Sequence, residues 1–130
     1  MNPLNAKCLK RDTLQVDLWV GGEGRVEMAG VIREKDGTDW LQPLLSEVHV
    51  TARARNMSEV VLDITKVEYA NANLWKCLVF WLKRIREDPE SSYRLRLISN
   101  PAHAWQRAGV PMLRIFGAES LVVEGFGDSE

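Results

Sequence analysis

The sequence is short of everything that would replace a hydrophobic core or announce a dedicated chemistry. It has two cysteines, Cys8 and Cys77, far apart and in no CxxC pair, so a zinc knuckle or a thioredoxin-like motif has nothing to build on. Both read as reduced thiols, with Cys77 a small core hydrophobe. Nine glycines and five prolines in 130 residues exclude collagen-like and low-complexity chains. The longest apolar run, Cys77 to Leu82, falls far short of the ~20 residues that span a bilayer. Met1 to Asp12 contain no apolar h-region, so no secretory signal is read and cytoplasmic residence is the expectation. Seventeen Lys and Arg against eighteen Asp and Glu leave no excess of one sign, which argues against a nucleic-acid binder and against steering to acidic membranes.

Catalytic signatures are equally sparse. His49 and His103 are the two histidines, in no HxxxH or HExxH spacing, whereas metal sites draw on clusters of ligands. No GxSxG elbow exists, and neither cysteine has an activating pattern around it. Asp63, at the end of an apolar strand, invites a general-base reading. Local hydrogen bonding to backbone amides is the favoured alternative, because Asp forms such bonds readily.

What is present is ordinary globular composition, 45% apolar and 27% charged, in a length suited to one domain over residues 1–130. Residues 1–12 read as a lead-in and 125–130 as a flexible tail. Leu14 to Val20 and Arg25 to Ile32 carry apolar residues at every second position, the period of half-buried strands. Gly21-Gly22-Glu23-Gly24 between them supplies a hairpin turn; phosphate-cradling glycines would lead into a helix instead. Trp40, Leu41, Leu44, Leu45, Val48 and Ala52 then recur at helical spacing. Asp39 with Gln42 reads as a capping box, or Pro43 as a first-turn residue, so the start of this first helix stays open.

Val60 to Ile64 is a short β-branched run and reads as a buried strand. After Thr65 to Ala70, the residues Leu74, Cys77, Leu78, Trp81, Leu82 and Ile85 form the strongest amphipathic helix of the chain, with Asn71 or Asn73 as its N-cap. Lys83, Arg84 and Arg86 near its C-terminal end complement the macrodipole. Asp88 to Ser92 stop it, Tyr93 to Ile98 alternate as a strand with one wet face, and Asn100-Pro101 open a third helix over Ala102 to Ala108 that Gly109 ends. A last strand is expected at Leu121 to Val123. Strands separated by helices imply right-handed crossovers and parallel pairing. Polar alternation in three strands places the helices mainly on one face of a small mixed sheet with an N-terminal hairpin, an α/β fold.

Val60-Val61-Leu62-Asp63-Ile64-Thr65-Lys66-Val67-Glu68-Tyr69, followed at once by a helix, resembles the central signature of STAS domains, the family of bacterial anti-sigma factor antagonists and related regulators. There a "VVLDLSxVxFxDSSGL" strand and loop run into the second helix. Ala108 to Phe116 is similar to the family's "xGLxxLF" ending. Aligned on Leu62-Asp63, the resemblance places Asn71 at the loop Asp, Ala72 at the phosphorylatable Ser, Asn73 at the next hydroxyl and Leu74 at the Gly. Phosphorylation needs a hydroxyl oxygen and Ala72 has none, so the usual switch is missing. Leu74 is expected to hold a partner off the start of this helix.

The resemblance implies a non-enzymatic STAS-like domain, without cofactor or metal, that binds a protein. Such partners are a serine-kinase-type anti-sigma factor, a phosphatase, or another STAS chain, including a homodimer. The expected surface is the loop and first turn of the second helix, Asn71, Ala72, Asn73, Trp75 and Lys76, with the loop before the first helix, Gly37, Thr38 and Asp39. Helix N-termini present unpaired amides, and loops vary freely on a rigid scaffold. Trp75 lies off the apolar stripe, either exposed as an interface residue or partly buried over the sheet edge. The alternative function is a small-molecule or nucleotide sensor binding an anion at the same helix N-terminus. The basic residues Arg53, Arg55, Lys83, Arg84, Arg86, Arg94 and Arg96 read as a charge-mixed solvated face, being interleaved with Glu59, Glu87, Asp88 and Glu90.

Overall fold

Right-handed crossovers between strands laid side by side in chain order put every intervening helix on the same face of a sheet. That is the architecture found. The computed structural model describes residues 7–11, 14–20, 24–32, 37–89 and 93–125, with the backbone alone for 7–11, 14–20, 37–40 and Ala118. Six strands lie in the order β1 (Lys7–Arg11), β2 (Leu14–Val20), β3 (Gly24–Ile32), β4 (Glu59–Ala70), β5 (Arg94–Ile98) and β6 (Leu121–Glu124). The first three pair antiparallel, and β3 to β6 pair parallel. The crossovers are α1 (Gly37–Ala54), α2 (Ala72–Glu87) and α3 (Ala104–Gly117), the last followed by a short turn of 3-10 helix at Ala118–Ser120.

The period-2 pattern divides the sheet as expected. Val26, Met28, Val60, Leu62, Ile64, Leu95 and Leu97 are buried against the helices, joined by Leu41, Leu45, Leu74, Leu78, Trp81 and Leu82 from α1 and α2. The opposite face carries Arg25, Glu27, Glu59, Asp63, Arg96 and Glu124. They are tied by ion pairs from Arg25 to Glu27 (2.7 Å) and Asp63 (3.3 Å), and from Arg96 to Glu59 (2.8 Å) and Glu124. The hydrogen bond to Glu59 is the main reason that the Arg96 guanidinium is held above its ordinary range.

Several boundaries differ from the sequence reading, each for a packing reason. Lys7–Arg11, taken as lead-in, pairs with β2 and lengthens the hairpin into a three-stranded meander. Gly24 is the first residue of β3 rather than a loop residue, and Gly21 to Glu23 lie outside the described residues. Helix α1 begins at Gly37, so Asp39 is inside its first turn and is not the cap of a box with Gln42. Pro43 is an interior residue: it lacks the amide donor for one helical bond, and Leu41, Leu44 and Leu45, buried on both sides of it, hold the helix against the sheet.

Strand β4 is twelve residues long and takes in Thr65 to Ala70, which read as a connection. Its far half pairs with β3 through two register shifts, so Ile64, Val67 and Ala70 still face the core although the strict alternation fails. Beyond Asp63 it has no partner in β5, and its carbonyls there are met from α3 instead. Gln106, fully buried, donates to the Ile64 carbonyl (2.8 Å) and the Val67 carbonyl (3.2 Å), and Trp105 Nε1 donates to the latter (3.0 Å).

Helix α3 begins two residues later than read, since Asn100 closes a turn by accepting from the Ala102 amide (2.9 Å). It then runs through Gly109 to Gly117. Gly109 is not a stop: a Cβ built there would lie 2.1 Å from the Trp75 ring, so the glycine lets α2 and α3 approach. The final strand falls at the expected place and adds a parallel edge to β5. Residues 126–130 of the expected tail lie outside the described residues.

Candidate partner-binding surface

Parallel strands deliver their following helices to one edge of the sheet, so the starts of α1 after β3 and of α2 after β4 share that edge. This is the edge on which the expected surface was placed. Asn71 leaves β4 with its amide bonded to the Ile32 carbonyl (3.1 Å), and its side chain accepts from the Asn73 amide (3.0 Å), the N-cap geometry. Ala72 is the first helical residue and is exposed, as is Lys76, while Asn73 is half-buried. Gly37, Thr38 and Asp39 form the first turn of α1 rather than a loop before it. Two helix N-termini, not a loop and a helix, therefore make up this edge.

Two expectations at the start of α2 need correction. Leu74 is fully buried and points into the core, so it does not obstruct an approach to the helix. Trp75 is partly buried, as one of the two alternatives had it, but against α3 rather than over the sheet edge: its ring lies 5.2 Å from that of Trp105, beside Gly109. The helical period showed that Trp75 left the stripe, but not that a second helix would stand beside it.

From Trp75 an open groove of about 510 Å³ runs along α2, lined by Ala72, Trp75, Lys76, Val79, Phe80 and Lys83, with Met112 from α3. Val79, Phe80 and Met112 were not singled out from the sequence. The available signal was the pair of apolar residues Val79 and Phe80 outside the buried stripe of α2. Phe80 is 49% exposed, and Ile115 and Phe116, one turn past Met112, are 80% and 47% exposed.

The interleaving of charge read from the sequence holds at Arg53 and Arg96, which meet acids, and gives way to a basic excess on α2 and α3. Arg96 belongs to the open sheet face, and Arg53 pairs with Asp88 (3.2 Å). The two helices flanking the groove carry Lys76, Lys83, Arg84, Arg86, Arg107 and Arg114 against one acid, Glu87. Their layer is basic within a chain that is balanced overall.

The remaining candidates are held in structural roles. Asp63 Oδ1 accepts from both the Thr65 amide (2.9 Å) and hydroxyl (2.6 Å), the local bonding favoured from the sequence. His49 is buried between Tyr93 (Nδ1 to hydroxyl, 2.6 Å) and Asp88 (Nε2 to Oδ2, 2.9 Å), and Trp81 Nε1 donates to the same hydroxyl (2.8 Å). A carboxylate only accepts, so in the neutral imidazole that carries its proton on Nε2 this nitrogen donates to Asp88 and Nδ1 accepts from the Tyr93 hydroxyl, which in turn accepts from Trp81. Desolvation pushes Tyr93 well above the ordinary phenol range and Cys77 up to about 11. Among the described residues no group of three His, Cys, Asp or Glu is placed to hold a metal ion, and no helix is long and apolar enough to cross a membrane.

These elements define an α/β fold of the STAS type, with a four-stranded parallel region, an antiparallel N-terminal extension and three helices on one face. The crystal structure of an anti-sigma factor antagonist from Mycobacterium paratuberculosis is similar to it, with a TM-score of 0.57 and 13% sequence identity over 91% of this chain and 84% of that one. No protein-family model and no curated protein matches the sequence.

Proposed function

We propose that the chain is a non-enzymatic regulatory domain of bacterial transcription that works in the cytoplasm by binding a signalling protein. The contact is made through the start of α2, with the first turn of α1 beside it, and Ala72 is not a phosphorylation site. The observation that carries this reading is the uncharged first turn of α2, with Ala72 exposed, Asn71 as its cap and Leu74 anchoring it to the core. A surface of this kind is rigid before it binds, so association costs little ordering entropy. The likeness of fold to an anti-sigma factor antagonist supports the same class of partner, a kinase-type anti-sigma factor, a phosphatase or another STAS chain. Ala72 at the first helical position offers no oxygen to a kinase, which supports a constitutive rather than phosphate-switched interaction.

The test is affinity capture from the native host with wild type and Ala72→Arg in parallel, reading retained proteins by mass spectrometry. A cation at a helix N-terminus costs about 0.3–1 kcal/mol, so the variant stays folded while its long side chain covers the surface. Wild type is expected to retain a regulator of the named classes and the variant to lose it. Equal retention by both sinks the assignment of the surface. Stabilisation of the pure protein by a nucleotide or other anion in a melting assay, without protein capture, would favour the sensor reading instead.

A further inference from the structure

We infer that the groove along α2 receives an acidic amphipathic helix of the protein partner, apolar side chains inward and carboxylates on Lys76 and Lys83. This deepens the partner-binding reading above and rests on it. The groove supplies apolar contact from Trp75, Val79, Phe80 and Met112, and both of its charged lining residues are lysines. Neither lysine forms an ion pair with any described residue, and both are exposed. The helices that carry the groove have a single acid between them, so a basic partner face would be repelled along its length. The same argument excludes the matching face of a second copy. A duplex or single strand of nucleic acid fits poorly, since the floor between the lysines is aliphatic and aromatic rather than a run of phosphate donors.

The spacing makes the partner's pattern specific. Lys76 and Lys83 are seven residues apart, two helical turns, or ~10.5 Å along the axis of α2. A helix lying along the groove meets both with acids at its own positions i and i+7. Its residues i+3 and i+4, on the same face, then fall over Val79 and Phe80. The expected motif is Asp or Glu, two residues, two large apolar residues, two residues, Asp or Glu.

A labelled helical peptide of about 18 residues with Glu at i and i+7 and Leu and Phe at i+3 and i+4 is the probe, long enough to hold a helix in an alanine-rich background. Fluorescence anisotropy is expected to show saturable binding to wild type with a Kd below about 1 mM. The double variant Lys76→Glu/Lys83→Glu should bind it about tenfold more weakly, and should prefer a peptide with Lys in place of both Glu residues. A peptide of the same composition with the acids moved to i and i+5 should bind wild type about tenfold more weakly. No saturable binding at about 1 mM, indifference to the double variant, or equal binding of the shifted peptide overturns the proposal. Capture of phosphatidylglycerol vesicles by wild type that the double variant abolishes also overturns it, making the face a membrane surface. Repeating the host capture separates the two readings. A partner lost by Ala72→Arg but kept by Lys76→Glu/Lys83→Glu leaves the function standing and removes this inference.

Discussion

Replacing Tyr93 by phenylalanine is expected to destabilise the protein by about 3 kcal/mol although it removes a single oxygen. That hydroxyl accepts from Trp81 and lies 2.6 Å from His49, and all three side chains are buried. Without it the indole N–H and the imidazole Nδ1 have no partner, and each buried orphan costs about 1–3 kcal/mol. The loss reaches further than one contact, because Tyr93 immediately precedes β5, Trp81 is on α2, His49 on α1, and Asp88 caps α2. Urea unfolding of Tyr93→Phe measures it, and a change below about 0.5 kcal/mol would show that water or a rearranged His49 replaces the hydroxyl.

The same residue gives the stability a pH signature. Burial raises Tyr93 and Cys77 above their ordinary values, so each folds as the neutral acid. A group with a raised folded pKa contributes its full stability below the unfolded pKa and loses it as pH climbs to the folded value. Stability should therefore fall between about pH 9 and pH 11 through Cys77, and from about pH 10 upward through Tyr93. Tyr93→Phe should flatten the upper part of that decline. A curve unchanged by the substitution would remove Tyr93 from the account.

Gly109→Ala is expected to destabilise by about 2 kcal/mol, against the direction of helix propensity, which favours Ala by about 1 kcal/mol. The new Cβ would fall 2.1 Å from the Trp75 ring, and that ring is braced by Trp105, so relief requires the indole to swing out of the helix interface. The informative comparison is the same substitution in a Trp75→Ala background. With the ring gone, Gly109→Ala should become stabilising by about 0.5–1 kcal/mol, a reversal of sign that only direct contact produces. The same sign in both backgrounds would place the cost elsewhere.

Much of the fold was legible because burial on one face imposes a period on the sequence. Leu74, Cys77, Leu78, Trp81, Leu82 and Ile85 read as the stripe of α2, and all six are buried. The alternation of Tyr93 to Ile98 likewise announced a sheet with one charged face, which Arg96 and Glu59 now occupy. At the candidate site, Asn71 as a cap and Ala72 without its hydroxyl were legible from residue type. The groove was not. Its lining couples Val79 and Phe80 with Met112, thirty-odd positions along the chain, and no local pattern encodes which helix stands beside which.

The sequence by itself determined the three helices, five of the six strands and the apolar stripes that build the core, all properties of near neighbours in the chain. The tertiary structure alone decided that β4 continues to Ala70, because its far half is held by β3 on one side and by Gln106 and Trp105 on the other. It decided that Gly109 continues a helix, because Trp75 fills the space a side chain would need. It also set Lys76 and Lys83 at an apolar groove that Met112 of α3 completes. Each of these rests on contacts between residues distant in sequence, where packing and charge are matched only once the chain has folded.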